Sequence, residues 1–362
     1  MKHRYPPLPF VLSAFTLVVI AAFVFSSVSS VSSQTPNKNL NTNSGRPSRK
    51  AIQLPTPTPE SSEEVVKVDV DLVKIDALVL QKNTARIVGG LKRENFLLYE
   101  DGAKQEITHF SQDKLPLSVM LLIDRGGCLD PYSDEVHRAA REAIDRLKLV
   151  DEIAVMSYHT TTDLIQPFTT NRILLEEALN HIPPHAEMGG HCLNTLFDYA
   201  ANYMMKASNP AGRRVIIVIS GLTRAFDCPD SPTGKSAALS IYESGTVVCA
   251  IIPKGAEQAF ENGQMTMLTR VFKVGGLDYM DIQSLANETG GEVLSNEPKK
   301  LDTTFETLID HLPSRYNLAF VSTNKKRDGT TRKLKLDLAP SIQKSQGKLV
   351  VKARRSYIAP RK

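Results

Sequence analysis

The chain has few cysteines and lacks the short motifs that identify common enzymes. Four cysteines in 362 residues are too few for a fold held together by disulfides. Neither Gly-x-Ser-x-Gly nor His-Glu-x-x-His occurs, and no dinucleotide-binding fingerprint is present. The triplet Gly234-Lys235-Ser236 resembles the end of a phosphate loop, but Pro229 stands where the first glycine is required, which favours a polar loop that opens a helix. The sequence therefore predicts a protein that is not an enzyme and has no organic cofactor.

The first 33 residues contain no acidic side chain. Lys2 and Arg4 precede an apolar run from Phe10 to Phe25, and a run of serines and valines ends at Ser33. This order predicts a signal peptide over 1–33, or an uncleaved N-terminal membrane anchor. The globular part is then exported, and is periplasmic, at the cell surface or membrane-anchored outside the cytoplasm.

The remaining chain changes character three times. Residues 34–63 are rich in Pro, Ser, Thr and Asn, which is typical of an extended linker. Alternating polar and apolar residues over 64–112, with an Asp-Gly turn, predict a small β module. Strands and helices then alternate over 113–312. Residues 313–358 are predicted to return as strands to the β module, followed by a tail at 359–362.

The alternating region predicts an α/β fold with a Rossmann-like, mostly parallel sheet flanked by helices. Its apolar strands are predicted at 118–124, 151–158, 214–220, 246–252 and 292–295. Its helices are predicted at 133–149, with Ser133 as the N-cap, and at 170–182, 195–208, 278–289 and 301–312. Ligands of such sheets bind at the carboxyl ends of the strands.

Several segments in a fixed order resemble the bacterial family of proteins related to the von Willebrand factor type A (VWA) domain. These segments are Phe96–Gly102, Gln105–Phe110, Pro116–Asp124, Gly189–Asp198, Arg213–Ser220 and Tyr316–Tyr357. The resemblance covers about residues 64–358. It implies a VWA-like domain and, in metal-binding members, a metal-ion-dependent adhesion site. There an Asp-x-Ser-x-Ser loop, a threonine and a second aspartate hold a divalent cation, which prefers oxygen ligands.

Most of these ligand positions are substituted here. Asp124 keeps the first carboxylate, but the two serine positions fall on Gly126 and Cys128. The threonine position falls on Asn194, or on Thr195 with a one-residue gap, and the second aspartate position falls on Gly221. The resemblance thus implies a degenerate site at which only Asp124 is a candidate metal ligand.

Without a bound cation, Asp124 is expected either to cap its loop or to pair with Arg125. The positive charge of Arg125 would repel a cation at this position. We expect no cofactor, with a divalent cation such as Mg²⁺ as the alternative. The predicted binding loops contain Asp124, Arg125, Gly126, Cys128, Gly190, Asn194, Thr195 and Gly221.

Three cysteines lie on loops at the same end of the predicted sheet. Three alternatives are open for Cys128, Cys192 and Cys228. Two of them form a disulfide, or all are independent thiols, or they form a thiolate metal site together with His191 and His159. Cys249 lies inside an apolar strand and is predicted to be buried.

From Lys325 onward, thirteen Lys and Arg residues face only two acidic ones. Such a tail either attracts an anionic partner or forms the solvent face of strands. The overall prediction is an adhesion-like interaction module with an unknown protein or cell-surface ligand and no nucleic acid. It contacts the membrane through the N-terminal segment if that is uncleaved. The alternative is a redox-active or thiolate-metal-binding protein that uses Cys128, Cys192 and Cys228.

Overall fold

A computed structural model describes residues 71–182, 190–209, 211–256 and 279–361. The predicted signal or anchor (1–33) and the linker (34–63) lie outside the described residues. Within the described ranges, no helix combines the length and apolar character needed to cross a membrane.

Sixteen strands are present in the described ranges. They are β1 (Leu72–Gln81), β2 (Phe96–Glu100), β3 (Ala103–Gln105), β4 (Ile107–Ser111), β5 (Leu117–Asp124), β6 (Glu152–Tyr158), β7 (Thr162–Thr169), β8 (Arg213–Ile219), β9 (Arg224–Phe226), β10 (Val247–Pro253), β11 (Tyr279–Asp281), β12 (Val293–Asn296), β13 (Tyr316–Val321), β14 (Thr331–Leu338), β15 (Leu349–Lys352) and β16 (Ser356–Ile358). The α-helices are α1 (Ser133–Arg146), α2 (Arg172–Asn180), α3 (Leu193–Met204), α4 (Gly234–Ser244), α5 (Ile282–Thr289), α6 (Leu301–His311) and α7 (Pro340–Gln346).

A six-stranded sheet in the order β12-β10-β8-β5-β6-β7 forms the centre of the α/β domain. Five of its strands run parallel, and β7 is antiparallel to β6. The innermost strands are continuous apolar runs because helices cover both faces. Helices α1, α2 and α6 pack on one face, and α3, α4 and α5 pack on the other. The predicted α/β fold with a mostly parallel sheet is confirmed.

The first helix differs in detail from its prediction. Ser133 is its first residue and Tyr132 is the N-cap, so the prediction that Ser133 caps the helix was wrong. The helix stops at Arg146 because Leu147 takes an extended conformation. The carboxylate of Asp151 then accepts the backbone N–H of Lys148 at 2.8 Å, which fixes the turn that follows.

The β module is built from both ends of the described chain. Its two sheets have the orders β15-β1-β13-β4 and β16-β14-β2-β3, and they share one apolar core. Strand β1 pairs antiparallel with β13, with Leu72 opposite Val321. The predicted Asp-Gly turn joins β2 to β3, with positive φ at both Asp101 (47°) and Gly102 (87°). In β14, Lys333 and Lys335 are exposed while their neighbours alternate inward, so this part of the basic segment is a solvent-facing strand.

A buried arginine joins the module to the amino edge of the central sheet. The side chain of Arg213, the first residue of β8, is fully buried and lies 3.2 Å from the carboxylate of Asp76 on β1. It also donates to the side-chain oxygen of Asn317 on β13 at 2.7 Å. The two parts of the fold therefore share a hydrogen-bonded ion pair.

Candidate functional site at the carboxyl edge of the central sheet

Three neighbouring parallel strands place polar side chains at one edge of the central sheet. Asp124 ends β5 and lies opposite Tyr158, the last residue of β6. Ser220 follows β8 directly, and all three side chains are buried. Since the strands run parallel, their carboxyl ends meet at this edge.

The carboxylate of Asp124 is fully occupied by protein partners. One oxygen, Oδ1, accepts the backbone N–H of Gly126 at 2.8 Å and lies 3.0 Å from Nδ1 of His191. The other, Oδ2, accepts the hydroxyl of Ser220 at 3.1 Å and the N–H of Gly221 at 3.2 Å. Asp124 thus caps its own loop, which is the first of the two roles predicted for it.

The other predicted role, pairing with Arg125, was wrong. The guanidinium of Arg125 lies 2.8 Å from the carboxylate of Asp163 on β7. Successive residues at the end of a strand point to opposite sides, so Arg125 cannot readily reach the carboxylate beside it.

A hydroxyl chain continues from Asp124 into the core. Tyr158 donates its hydroxyl to Ser220 Oγ at 2.9 Å. Burial, reinforced by the negative charge of Asp124, raises the pKa of Tyr158 well above its usual value, so Tyr158 is a neutral donor.

His191 lies between Asp124 and Cys128. Its Nδ1 faces the carboxylate, and its Nε2 lies 3.3 Å from the sulfur of Cys128. The ring is buried, with 2 % of its side-chain surface exposed. Burial lowers the pKa of His191, but the hydrogen bonds to Asp124 and Cys128, together with the negative charge of Asp124, outweigh burial and raise the pKa to about 10. A positively charged imidazole therefore lies against the carboxylate.

Two glycines make room for this arrangement. A Cβ at Gly126 would lie 2.1 Å from Cε1 of His191, and a Cβ at Gly221 would lie 2.2 Å from Cβ of Cys128. Any side chain at either position requires His191 or Cys128 to move. The substitutions at the predicted ligand positions are therefore sterically interdependent.

A disulfide joins Cys192 and Cys228, with their Cα atoms 5.4 Å apart. Two of the three loop cysteines thus pair, as one of the sequence alternatives proposed. Cys128 is a thiol, and Cys249 is a buried thiol as predicted, with its pKa raised by burial to about 11.

The remaining predicted residues hold neighbouring loops together through bonds that do not involve Asp124. Asn194 donates to the carbonyl of Pro232 at 2.8 Å and accepts the N–H of Cys228 at 3.2 Å. Thr195 donates to the hydroxyl of Ser231 at 2.8 Å, and Gly190 lies against Thr160. The imidazole of His159 bonds to the hydroxyls of Thr160 and Thr161, while its backbone carbonyl accepts the N–H of Cys192 at 2.9 Å.

Two roles were not predicted from the sequence: that of His191 as the partner of Asp124, and that of Tyr158 as the donor to Ser220. The sequence signal for this arrangement was the presence of glycine at two ligand positions, Gly126 and Gly221. Two such glycines indicate that another side chain fills the space, but they do not identify that side chain.

The geometry defines an α/β domain with a cluster of buried polar side chains at the carboxyl edge of a mostly parallel sheet. Residues 119–223 match the family model of the von Willebrand factor type A domain, and this region is a VWA domain. Domains of this family are generally protein-interaction modules. No curated protein matches the chain.

Three solved structures are similar to part of this chain. The first is an aerotolerance-related membrane protein from Bacteroides fragilis NCTC 9343, with 16 % identity over 54 % of this chain and 98 % of that one, and a TM-score of 0.39. The second is proximal thread matrix protein 1 from the mussel byssus, with 14 % identity over 56 % and 49 %, and a TM-score of 0.41. The third is the vWF domain of the type V pili tip protein Mfa5 from Porphyromonas gingivalis, with 11 % identity over 54 % and 95 %, and a TM-score of 0.38.

Proposed function

We propose that the chain is an exported or membrane-anchored, non-catalytic interaction module that binds a protein or cell-surface ligand without a divalent cation. The observation that carries the proposal is the position of the His191 ring between Asp124 and Cys128. The positive charge that a cation would bring to Asp124 is supplied by a side chain of the domain itself.

The residues at the carboxyl edge do not fit a hard cation. Mg²⁺ and Ca²⁺ require several oxygen ligands. Both oxygens of Asp124 already have two partners each, and the serine and aspartate positions of the family motif are Gly126, Cys128 and Gly221. A cation would have to displace His191 and would still lack a second carboxylate.

Recognition then falls to the exposed rim of the same loops. Thr160, Thr161, Pro229 and Asp230 are exposed, whereas Asp124 is buried. The Cys192–Cys228 disulfide fixes two of these loops relative to each other. A rim that is already ordered loses less conformational entropy when a partner binds.

The same disulfide supports export. Disulfides persist in oxidising compartments and are rare in the cytosol. This agrees with the signal or anchor predicted for residues 1–33.

The metal half of the proposal is tested by thermal unfolding of the full chain with EDTA, Mg²⁺ or Mn²⁺. We expect the same Tm in all three conditions, because a cation that does not bind the folded state cannot stabilise it. A rise in Tm with Mg²⁺ or Mn²⁺ that disappears in Asp124→Ala contradicts the proposal.

The recognition half is tested by capture of partners from the exported fraction with the wild-type chain. We expect a captured protein or glycan to be retained in EDTA and lost in the rim variant Thr160→Arg/Asp230→Arg. Lys104→Glu on β3, which is exposed on the β module, is the matched control and should capture normally. The proposal is contradicted if capture requires a divalent cation, or if the rim variant captures as much partner as the wild type.

The redox or thiolate-metal alternative makes a different prediction. Cys192 and Cys228 are bonded to each other and cannot ligate a metal together with Cys128. Thiol titration of the unfolded, unreduced protein is therefore expected to find Cys128 and Cys249 only, with no stoichiometric soft metal. Free Cys192 and Cys228 with bound metal would favour the alternative.

A further inference from the structure

A cleft of about 820 Å³ lies at the amino edge of the central sheet, opposite the edge that carries Asp124. Its walls are the first half of β1, the amino ends of β8 and β10, and the C-terminal segment that follows β15. Its volume is within the range of ligand-binding clefts, which often form between two packed parts of a protein.

The acidic residues of this cleft are largely neutralised. Asp76 is paired with Arg213 at 3.2 Å, and Asp71 lies 3.4 Å from Arg327. Among the described residues that line the cleft, Glu243 is the remaining acid.

Four basic side chains besides Arg213 line the cleft, against the single remaining acidic side chain, that of Glu243. The four are Lys74, Arg214, Arg354 and Arg361. Lys74 and Arg361 are exposed. Arg354 is half-buried, and its guanidinium donates to the carbonyl of Tyr242 at 3.4 Å. The negative charge that acts on Arg354 is that of Asp76, which is also paired with Arg213. The cleft is therefore complementary to a ligand with several negative charges.

The wall formed by β1 also has an open sheet edge. Residues 72–77 pair with β13, whereas β15 pairs only with residues 78–81. On the β15 side, the first half of β1 has no strand partner within the part of the chain that the structure describes. Unpaired backbone N–H and C=O groups along a strand are a template for an added strand.

We propose that this cleft binds an extended acidic peptide segment of a partner protein, which adds as a strand to residues 72–77 while its carboxylates face Lys74, Arg214, Arg354 and Arg361. The open edge spans six residues, roughly 20 Å of strand, and this length favours an extended ligand over a small anion. The inference is independent of the site at Asp124, because the two lie at opposite edges of the sheet.

The test uses the full chain and a fluorescent six-residue peptide of alternating valine and glutamate, with binding followed by anisotropy. We expect saturable binding that weakens with salt, and no binding of the matched valine–lysine peptide. A glutamate peptide N-methylated at alternate amides should also fail to bind, because it cannot form the strand hydrogen bonds on that side.

Variants locate the binding in the cleft. Lys74→Glu/Arg361→Glu changes two exposed residues, so it should fold normally and weaken binding by about tenfold. Lys104→Glu on β3 makes the same kind of charge change away from the cleft and should leave binding unchanged.

Four results would overturn the inference. The first is an absence of saturable binding, and the second is equal binding by Lys74→Glu/Arg361→Glu. The third is equal binding of the N-methylated peptide, and the fourth is equal competition by free glutamate. Either of the last two would identify a simple anion site. None of these results bears on the metal and rim experiments at Asp124, so the two proposals fail separately.

Discussion

The two edges of the central sheet differ in how their charged groups are satisfied. At the carboxyl edge, Asp124 is buried and every oxygen has protein partners, with His191 supplying the opposite charge. At the amino edge, Arg213 and Asp76 form an ion pair, but further basic side chains line an open cleft. The carboxyl edge is thus a closed polar cluster, whereas the amino edge carries an excess of positive charge. The predictions below test this contrast.

The largest effect is expected from restoring the family's aspartate at the closed edge. Gly221→Asp places a Cβ where Cys128 lies and adds a second carboxylate beside Asp124. Crowding and an unpaired buried charge together should lower the free energy of unfolding by roughly 5 kcal/mol, measured by urea denaturation. Gly89→Ala is the control, because a Cβ there meets only Gln112 at 3.6 Å. Normal stability of Gly221→Asp would show that the edge is not closed by these contacts.

Removal of the disulfide should have the next largest effect. Cys192→Ser/Cys228→Ser opens a cross-link between residues 36 positions apart, and the expected loss is roughly 3–4 kcal/mol. Reducing agent should lower the Tm of the wild type to that of the double variant and leave the variant itself unchanged. Cys128→Ala is the matched control, since its thiol takes no part in the cross-link. Equal sensitivity of all three proteins to reduction contradicts the assignment.

The charge of His191 predicts a pH dependence of stability. Its pKa is about 10 in the folded protein against an ordinary value of 6.5, so the folded state holds the proton more tightly. The stabilisation is complete below about pH 6.5 and is lost as pH rises from there through about 10. Between about pH 6 and pH 9 we expect the free energy of unfolding to fall by roughly 2–3 kcal/mol from this group.

His191→Gln is the control for that dependence. The variant should be less stable at about pH 6 but should lose much less stability on the way to about pH 9. The same slope in the variant and the wild type would mean that another group carries the dependence.

The smallest effect on stability is expected at the amino edge. Lys74→Glu changes an exposed side chain in the cleft and should alter the free energy of unfolding by less than about 0.5 kcal/mol. Chemical denaturation measures the change, and a loss as large as that of a carboxyl-edge variant would remove the contrast between the edges.

The fold was largely predictable because its strands carry strong local signals. The apolar runs that form β5, β6, β8 and β10 are typical of strands covered on both faces, and the Asp101-Gly102 turn has a specific backbone geometry. Strand β7 was not predicted, since Thr162–Thr169 is only partly buried and contains Pro167. Its edge position explains both properties.

The site was predictable only as a set of substitutions. The sequence predicted a degenerate cation site from Gly126, Cys128 and Gly221, but it gave no reason to place the ring of His191 among them. That placement depends on a contact across 63 sequence positions between Cys128 and His191. For the same reason Arg125 was assigned to the nearest carboxylate along the chain, while its partner Asp163 lies across the sheet.

The pairing of β1 with β13 has a consequence for the order in which the chain folds. Leu72 finds its partner Val321 only after the complete α/β domain has been synthesised between them. Contacts of such long separation form slowly, because a large loop must close first. We expect the central sheet to form early and the β module to close last, so a newly made chain passes through a stage in which β1 is still unpaired and prone to aggregation.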